Sequence, residues 1–351
     1  MAVKPSRRTI LAGAVALAAP SIWSGPSRAA GKVYIGSPGG DYDDIMRRAV
    51  DEPFTRETGI EVIREGQTNG KILAMVRSKH IETDIADLSS TGMIALERMG
   101  VLEPIAYDKW RWGKKEELSP HLVHPFRSPI YHLAHVQVYS TAAFKTDHPH
   151  NWSDVWDVGR FPGSRMFPDM SSSQAHLEFA LRADGVARDK LYPIDIDRAL
   201  RSFSRIKPHV VKFHASGAES AQLMINGEAV VGSMASGRAQ VTINKGAPMA
   251  IEWNEHLLFS ENYGIFKGGP NVANAQLFVD FASQAPVQAA YAKELSYGPA
   301  NMKAFDLLPK ELAARMPGAP ETLALAIKVD EAWWADNRER VAAAWNQWML
   351  S

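Results

Sequence analysis

Lys32-Val33-Tyr34-Ile35-Gly36 followed by Ser37-Pro38-Gly39-Gly40 sets an apolar run of strand length against a turn of small residues. From Asp41 to Val50, Tyr42, Ile45, Met46 and Ala49 then recur at helical spacing. This strand-turn-helix unit repeats. Ile60 to Arg64 leads through Gly66-Gln67-Thr68-Asn69-Gly70 into a helix over Lys71 to Ser78, and Asp84 to Leu88 leads through Ser89-Ser90-Thr91 into a helix over Met93 to Met99 that Gly100 can cap. Successive units of this kind predict a parallel sheet covered by helices.

Further along, Arg165 to Pro168, Val210 to Phe213 and Ala229 to Gly232 read as strands. They are followed by the turns Ser171-Ser172-Ser173, Ser216-Gly217-Ala218-Glu219 and Ser233-Met234-Ala235-Ser236-Gly237-Arg238, the second with the spacing of a capping box. Small-residue turns at the carboxyl ends of parallel strands present free amide N–H groups, and open α/β sheets hold their ligands in the crevice outside those ends. Each turn alone is explained as an ordinary helix cap. Their recurrence in both halves points to one shared cleft.

Upstream of the first strand, Lys4, Arg7 and Arg8 precede an apolar run of about ten residues, half of what a membrane span needs. With Ser27-Arg28-Ala29 it reads as a cleavable signal peptide cut after about Ala29, and Ser6-Arg7-Arg8 resembles the twin-arginine type. The chain has no cysteine, so an exported protein must be stable without disulfides and carries no lipoprotein anchor. Acidic and basic residues balance at 39 each among 351 residues, and several bases lie in the leader. No basic stripe for nucleic acid is present. A periplasmic monomer without a stable membrane anchor is expected.

The stretches Pro53-Phe54-Thr55-Arg56-Glu57-Thr58-Gly59-Ile60, Gly100-Val101-Leu102-Glu103-Pro104-Ile105, Val138-Tyr139-Ser140 and Phe161-Pro162-Gly163 continue the first strand-turn-helix unit in order. Gly227-Glu228-Ala229-Val230, Tyr297-Gly298-Pro299-Ala300-Asn301 and Trp333-Trp334-Ala335-Asp336-Asn337-Arg338 complete the series. In sum the chain resembles extracellular solute-binding proteins of the spermidine/putrescine type. The resemblance implies a two-lobed type II periplasmic-binding-protein fold of class α/β, each lobe a mostly parallel sheet flanked by helices, with two crossover strands as hinge. It implies lobes of about 30–134 plus 264–351 and of 135–263, with crossings near His135 to Ser140 and near Asn262 to Phe266. It also implies a receptor that closes on a small solute and delivers it to ABC transporter permease subunits. The tryptophans of a tail helix over Glu331 to Leu350 are expected to pack.

Mapped onto this sequence, the resemblance and the turns make Ser37, Gly39, Gly40, Ser89, Ser90, Asp169, Ser172, Met234, Arg238, Asn262 and Tyr297 the expected ligand-binding residues. Polyamine-binding relatives flank the methylene chain with aromatics and pair the ammonium groups with carboxylates. Here Pro38 and Met234 stand where aromatics are usual, Asn262 where an acid is usual, and Arg238 where a small residue is usual. These departures favour a carboxylate-bearing, amino acid-like guest, with Asp169 left for its amine. A putrescine/spermidine receptor, holding a diamine through Asp169, Glu255 or Glu261, is the alternative. Catalysis is not expected: Gly232 to Gly237 lacks the glycine spacing of a serine-hydrolase elbow, and no His-Glu-x-x-His helix occurs. No cofactor is expected. The irregular spacing of His121, His124, His132, His135, His148 and His150 reads as solvated or core histidine rather than a metal site.

Overall fold

Strands β1 (Lys32–Ser37), β2 (Glu61–Gly66), β3 (Ile85–Ser89), β4 (Leu102–Glu103), β5 (Ser128–Ser140) and β6 (Arg165–Pro168) form the first part of one sheet. β7 (Val210–His214), β8 (Val231–Ala235), β9 (Met249–Phe266), β10 (Gly298–Pro299) and β11 (Ile327–Lys328) complete it in the computed structural model. The structure describes residues 31–351 apart from 172 and 173, so the predicted leader and Ser172 lie outside the described residues.

The strand order is β2-β1-β3-β9-β5-β8-β6-β7, with β4 and β11 on β9 and β10 on β5. β1 runs parallel to β2 and β3, and β6 runs parallel to β7 and β8, as the strand-turn-helix units predict. Between these groups β5 and β9 are long, 13 and 18 residues, and antiparallel to each other, with β9 antiparallel to β3 and β5 antiparallel to β8. Each continues from one parallel group to the other. Their pairing fixes which side chains share a face, because directly opposed residues point the same way. Asp87, Ser89, Tyr131, Leu133, His135, Phe259, Glu261 and Tyr263 therefore occupy one face by register.

The helix predicted over Asp41 to Val50 continues to Thr58 through a π turn at Arg47–Asp51, and Gly59 ends it at φ 72°. The wider turn interrupts the 3.6-residue period and places Asp51 inward. Phe54 and Met46 of this helix are fully buried against Val33 and Ile35 of β1, with Phe278 completing the cluster. Burying such a side chain contributes about 1.5–3 kcal/mol.

The tail helix spans Glu331–Met349, capped by the Asp330 carboxylate, which accepts from the Trp333 N–H at 2.9 Å. Trp334, Trp345 and Trp348 are buried as expected, but they join Trp152, Phe167 and Phe203 in the core beneath β6 and β7. The resemblance groups this helix with the first segment; its apolar face instead completes the core of the middle segment. Among the described residues no helix is long and apolar enough to cross a membrane.

Candidate functional site

At the end of β1 the Ser37 hydroxyl donates to the Asp43 carboxylate, and the Gly39 N–H points at the same oxygen at 3.3 Å. Gly39 and Gly40 hold φ of 85° and 64°, which a side chain would strain. Beneath this turn Arg64 of β2 reaches inward: its side chain is 2% exposed and grips Asp51 through Nε at 2.7 Å and Nη2 at 2.9 Å. Its remaining nitrogen lies 3.9 Å from the Asp87 carboxylate, which also accepts the Tyr42 hydroxyl at 2.7 Å. Burial pushes the Asp87 carboxyl up to about 7 despite the nearby Arg64 cation. One Asp87 oxygen has no hydrogen-bond partner among the described residues.

Next to Asp87 on the same sheet face stands Glu261, paired in register with Tyr131 and Ser89. Burial, then the charges of Asp87 and Glu331, raise its carboxyl well above the usual range. Glu331, at the start of the tail helix, is likewise raised to about 7 by burial. Burial is the first cause at all three carboxyls, and the Arg64 cation beside Asp87 and the Arg127 cation near Glu331 oppose it.

Tyrosine rings wall this region. Tyr131 lies edge-on to Tyr42 at 6.2 Å and stacks on Tyr297 at 4.8 Å. Burial raises the Tyr297 phenol, the Glu261 charge raises it further and the Arg238 guanidinium lowers it, so one ring lies within the field of an acid and of an arginine. Tyr297 also packs on Gly237, where an added Cβ would sit 2.7 Å from the ring. Arg238, in the first turn of the helix Ser236–Asn244, is exposed and makes no ion pair among the described residues.

Farther along the same face a histidine group continues the site. His135 meets His176 at 4.4 Å; His176 Nδ1 lies 3.1 Å from the Ser233 hydroxyl, and His214 Nε2 lies 3.1 Å from the Ser233 carbonyl. Burial holds all three imidazoles below the usual range, His135 at about 3. Among the described residues each keeps one buried nitrogen without a partner, and the Gln174 amide nitrogen and the Ser236 hydroxyl likewise have none. These groups are available to a polar guest.

The expected residues therefore divide. Ser37, Gly39 and Gly40 stand at the Arg64–Asp43 end, Ser89 opposes Glu261, and Tyr297 and Arg238 meet at the Gly237 turn. Met234 is completely buried in the apolar core with Val136 and Met166, because its position in β8 alternates away from Ser233. Asn262 and Ser90 face the opposite side of the sheet, where Asn262 Nδ2 donates to the Ser90 hydroxyl at 2.8 Å and Ser90 meets Ser260 at 2.7 Å. Asp169 is spent on the Ser171 N–H at 2.8 Å and the Trp345 indole at 3.1 Å; burial opposes its charge, but these donors hold the carboxyl below the usual range. Glu255 is paired with Arg182. Asp87, Tyr42 and Tyr131 escaped the sequence reading because their placement depends on strand register.

The chain matches the bacterial extracellular solute-binding protein family over residues 49–318. It is 30% identical over 318 residues to the gamma-aminobutyric acid-binding protein of Pseudomonas aeruginosa, covering 88% of each chain. The solved structure of a GABA receptor is similar with a TM-score of 0.81 at 29% identity, over 90% of this chain and 97% of that one. An ABC transporter substrate-binding protein from Bradyrhizobium japonicum is similar with a TM-score of 0.82 at 30% identity, over 91% and 99%. Such likeness extends across the α/β architecture, which matches the type II periplasmic binding fold. With its sheet order, its cleft of unpaired polar groups and a match over most of its length, the chain belongs to the bacterial extracellular solute-binding proteins.

Proposed function

We propose that this chain is the periplasmic receptor of an ABC importer, taking a short amino acid with separated charges, of the 4-aminobutyrate class. The observation that carries the reading is Tyr297, whose ring stacks on Tyr131 at 4.8 Å and packs on Gly237 beside Arg238, and whose phenol feels both the Glu261 charge and the Arg238 guanidinium. The guest's ammonium would neutralise Glu261 and Asp87, its methylenes would lie on the Tyr131 and Tyr297 rings, and Arg238 would fork onto its carboxylate. Two relatives named for GABA support the choice.

Under this proposal β5 and β9 act as the hinge between the β1–β3 group and the β6–β8 group, and the tail helix moves with the latter. Contacts from both groups exist together only in the closed form, so the guest stabilises closure and the permease reads the closed shape. The buried acids Asp87 and Glu261 favour a second reading, a diamine receptor, in which Arg238 would face an ammonium.

Thermal unfolding with 4-aminobutyrate, 5-aminovalerate, putrescine and butyrate separates the two. The amino acids are expected to raise the midpoint more than either single-charge-type compound. A shift with putrescine alone establishes the diamine reading, and no shift with any of them contradicts both.

A further inference from the structure

Asp147-His148-Pro149-His150 precedes the short helix Trp152–Trp156 and lies against β9. The proline favours extended backbone, in which residues two apart point the same way. Both imidazoles accordingly meet Glu252 of β9: His148 Nε2 is 3.2 Å and His150 Nδ1 3.7 Å from the same oxygen, Oε2. One ligand atom from each of the three residues lies within 4.8 Å of the others. In a tetrahedral site with bonds of about 2.0–2.2 Å, such atoms stand about 3.3 Å apart.

The surroundings hold this arrangement in place. The other Glu252 oxygen accepts the Asn254 N–H at 2.8 Å, which leaves Oε2 directed at the rings. His148 lies flat on Tyr139 at 4.0 Å and 11°. His150 offers its second nitrogen to Asp147 at 3.1 Å, and the other Asp147 oxygen accepts from Arg160 at 3.0 Å. A carboxylate behind a ligating imidazole fixes the ring and raises its basicity. The loop itself is tied down by the Gln137 amide on the Pro149 carbonyl and by Asn254 Nδ2 on the His150 carbonyl at 3.0 Å.

From this geometry we propose that His148, His150 and Glu252 form a Zn²⁺ site with a fourth position open to solvent. Two imidazoles and one carboxylate suit zinc over magnesium or calcium, which take all-oxygen sites. The site is separate from the solute cleft, and its ion would clip the loop 147–151 to β9.

Calorimetric titration of the full, chelator-treated protein with ZnCl₂ tests it. One ion per chain is expected, with affinity reduced at least tenfold in His148→Ala and in Glu252→Gln. Asp147→Asn should weaken binding about 10- to 100-fold while leaving all three ligands in place. His121→Ala, remote from the site, should leave it unchanged, and circular dichroism of each variant checks that the fold is kept. Absent binding, or binding equally strong in His148→Ala and Glu252→Gln, overturns the proposal. Solute affinity is measured on the same variants, so failure here is distinct from failure of the receptor reading.

Discussion

Arg238 has little to lose from the fold and much from a guest, since it is exposed and unpaired among the described residues. Arg238→Ala is expected to leave the free energy of unfolding within about 0.5 kcal/mol of the parent. It should weaken amino acid binding about 10- to 150-fold, the worth of a charge-assisted hydrogen bond. Isothermal titration checks both the loss and its partial recovery in Arg238→Lys. This arginine and Tyr297 were legible in the sequence because they stand in turns, where residue type and position go together. Asp87 was not singled out, and Glu261 was named only beside Asp169 and Glu255 as a partner for an amine, because a strand's two-residue period leaves open which face meets the cleft until its partner's register is known. His132 is informative for another reason: it is fully buried, neither ring nitrogen has a partner among the described residues, and burial lowers its pKa to about 3. Below pH 6.5 the unfolded chain protonates this residue and the native one does not, so stability falls as pH drops from about 6.5 toward 3. In urea titrations across that range, His132→Met is expected to reduce the pH slope by about 1.4 kcal/mol per pH unit relative to the parent. An unchanged slope would mean that the native histidine is protonated.

At the scale of elements, the first helix shows where periodicity stops being readable. Its spacing predicts Asp41 to Val50, but the π turn at Arg47–Asp51 carries it onward and turns Asp51 toward Arg64. No repeat of apolar residues announces an inserted residue in a turn. The tail helix was readable from its tryptophans, yet its place was not, since an apolar stripe records that it is covered and not by what. The helix Ser236–Asn244 carries the sharper test. A methyl group at Gly237 would press on Tyr297, so Gly237→Ala is expected to displace that ring from Tyr131 and weaken binding about tenfold. The thermal midpoint should move much less than the affinity. Equal binding by the variant would remove Tyr297 from the site.

For the molecule as a whole, the repeated strand-turn-helix grammar foretold two parallel groups, and the sheet contains them on either side of two long antiparallel strands. What the sequence left open was the tertiary pairing that joins Tyr131 and Glu261 of those strands to Asp87 of the first group and, through Tyr297, to Arg238 of the second. If the strands flex as a hinge, small-angle scattering should show a lower radius of gyration with 4-aminobutyrate than without it, and no change with butyrate. The most direct measurement is a crystal structure with 4-aminobutyrate bound. The account predicts the carboxylate within hydrogen-bond distance of Arg238, the ammonium at Glu261 or Asp87, and the methylenes on Tyr131 and Tyr297. Density for the amino acid on the opposite sheet face, at Ser90 and Asn262, would contradict it.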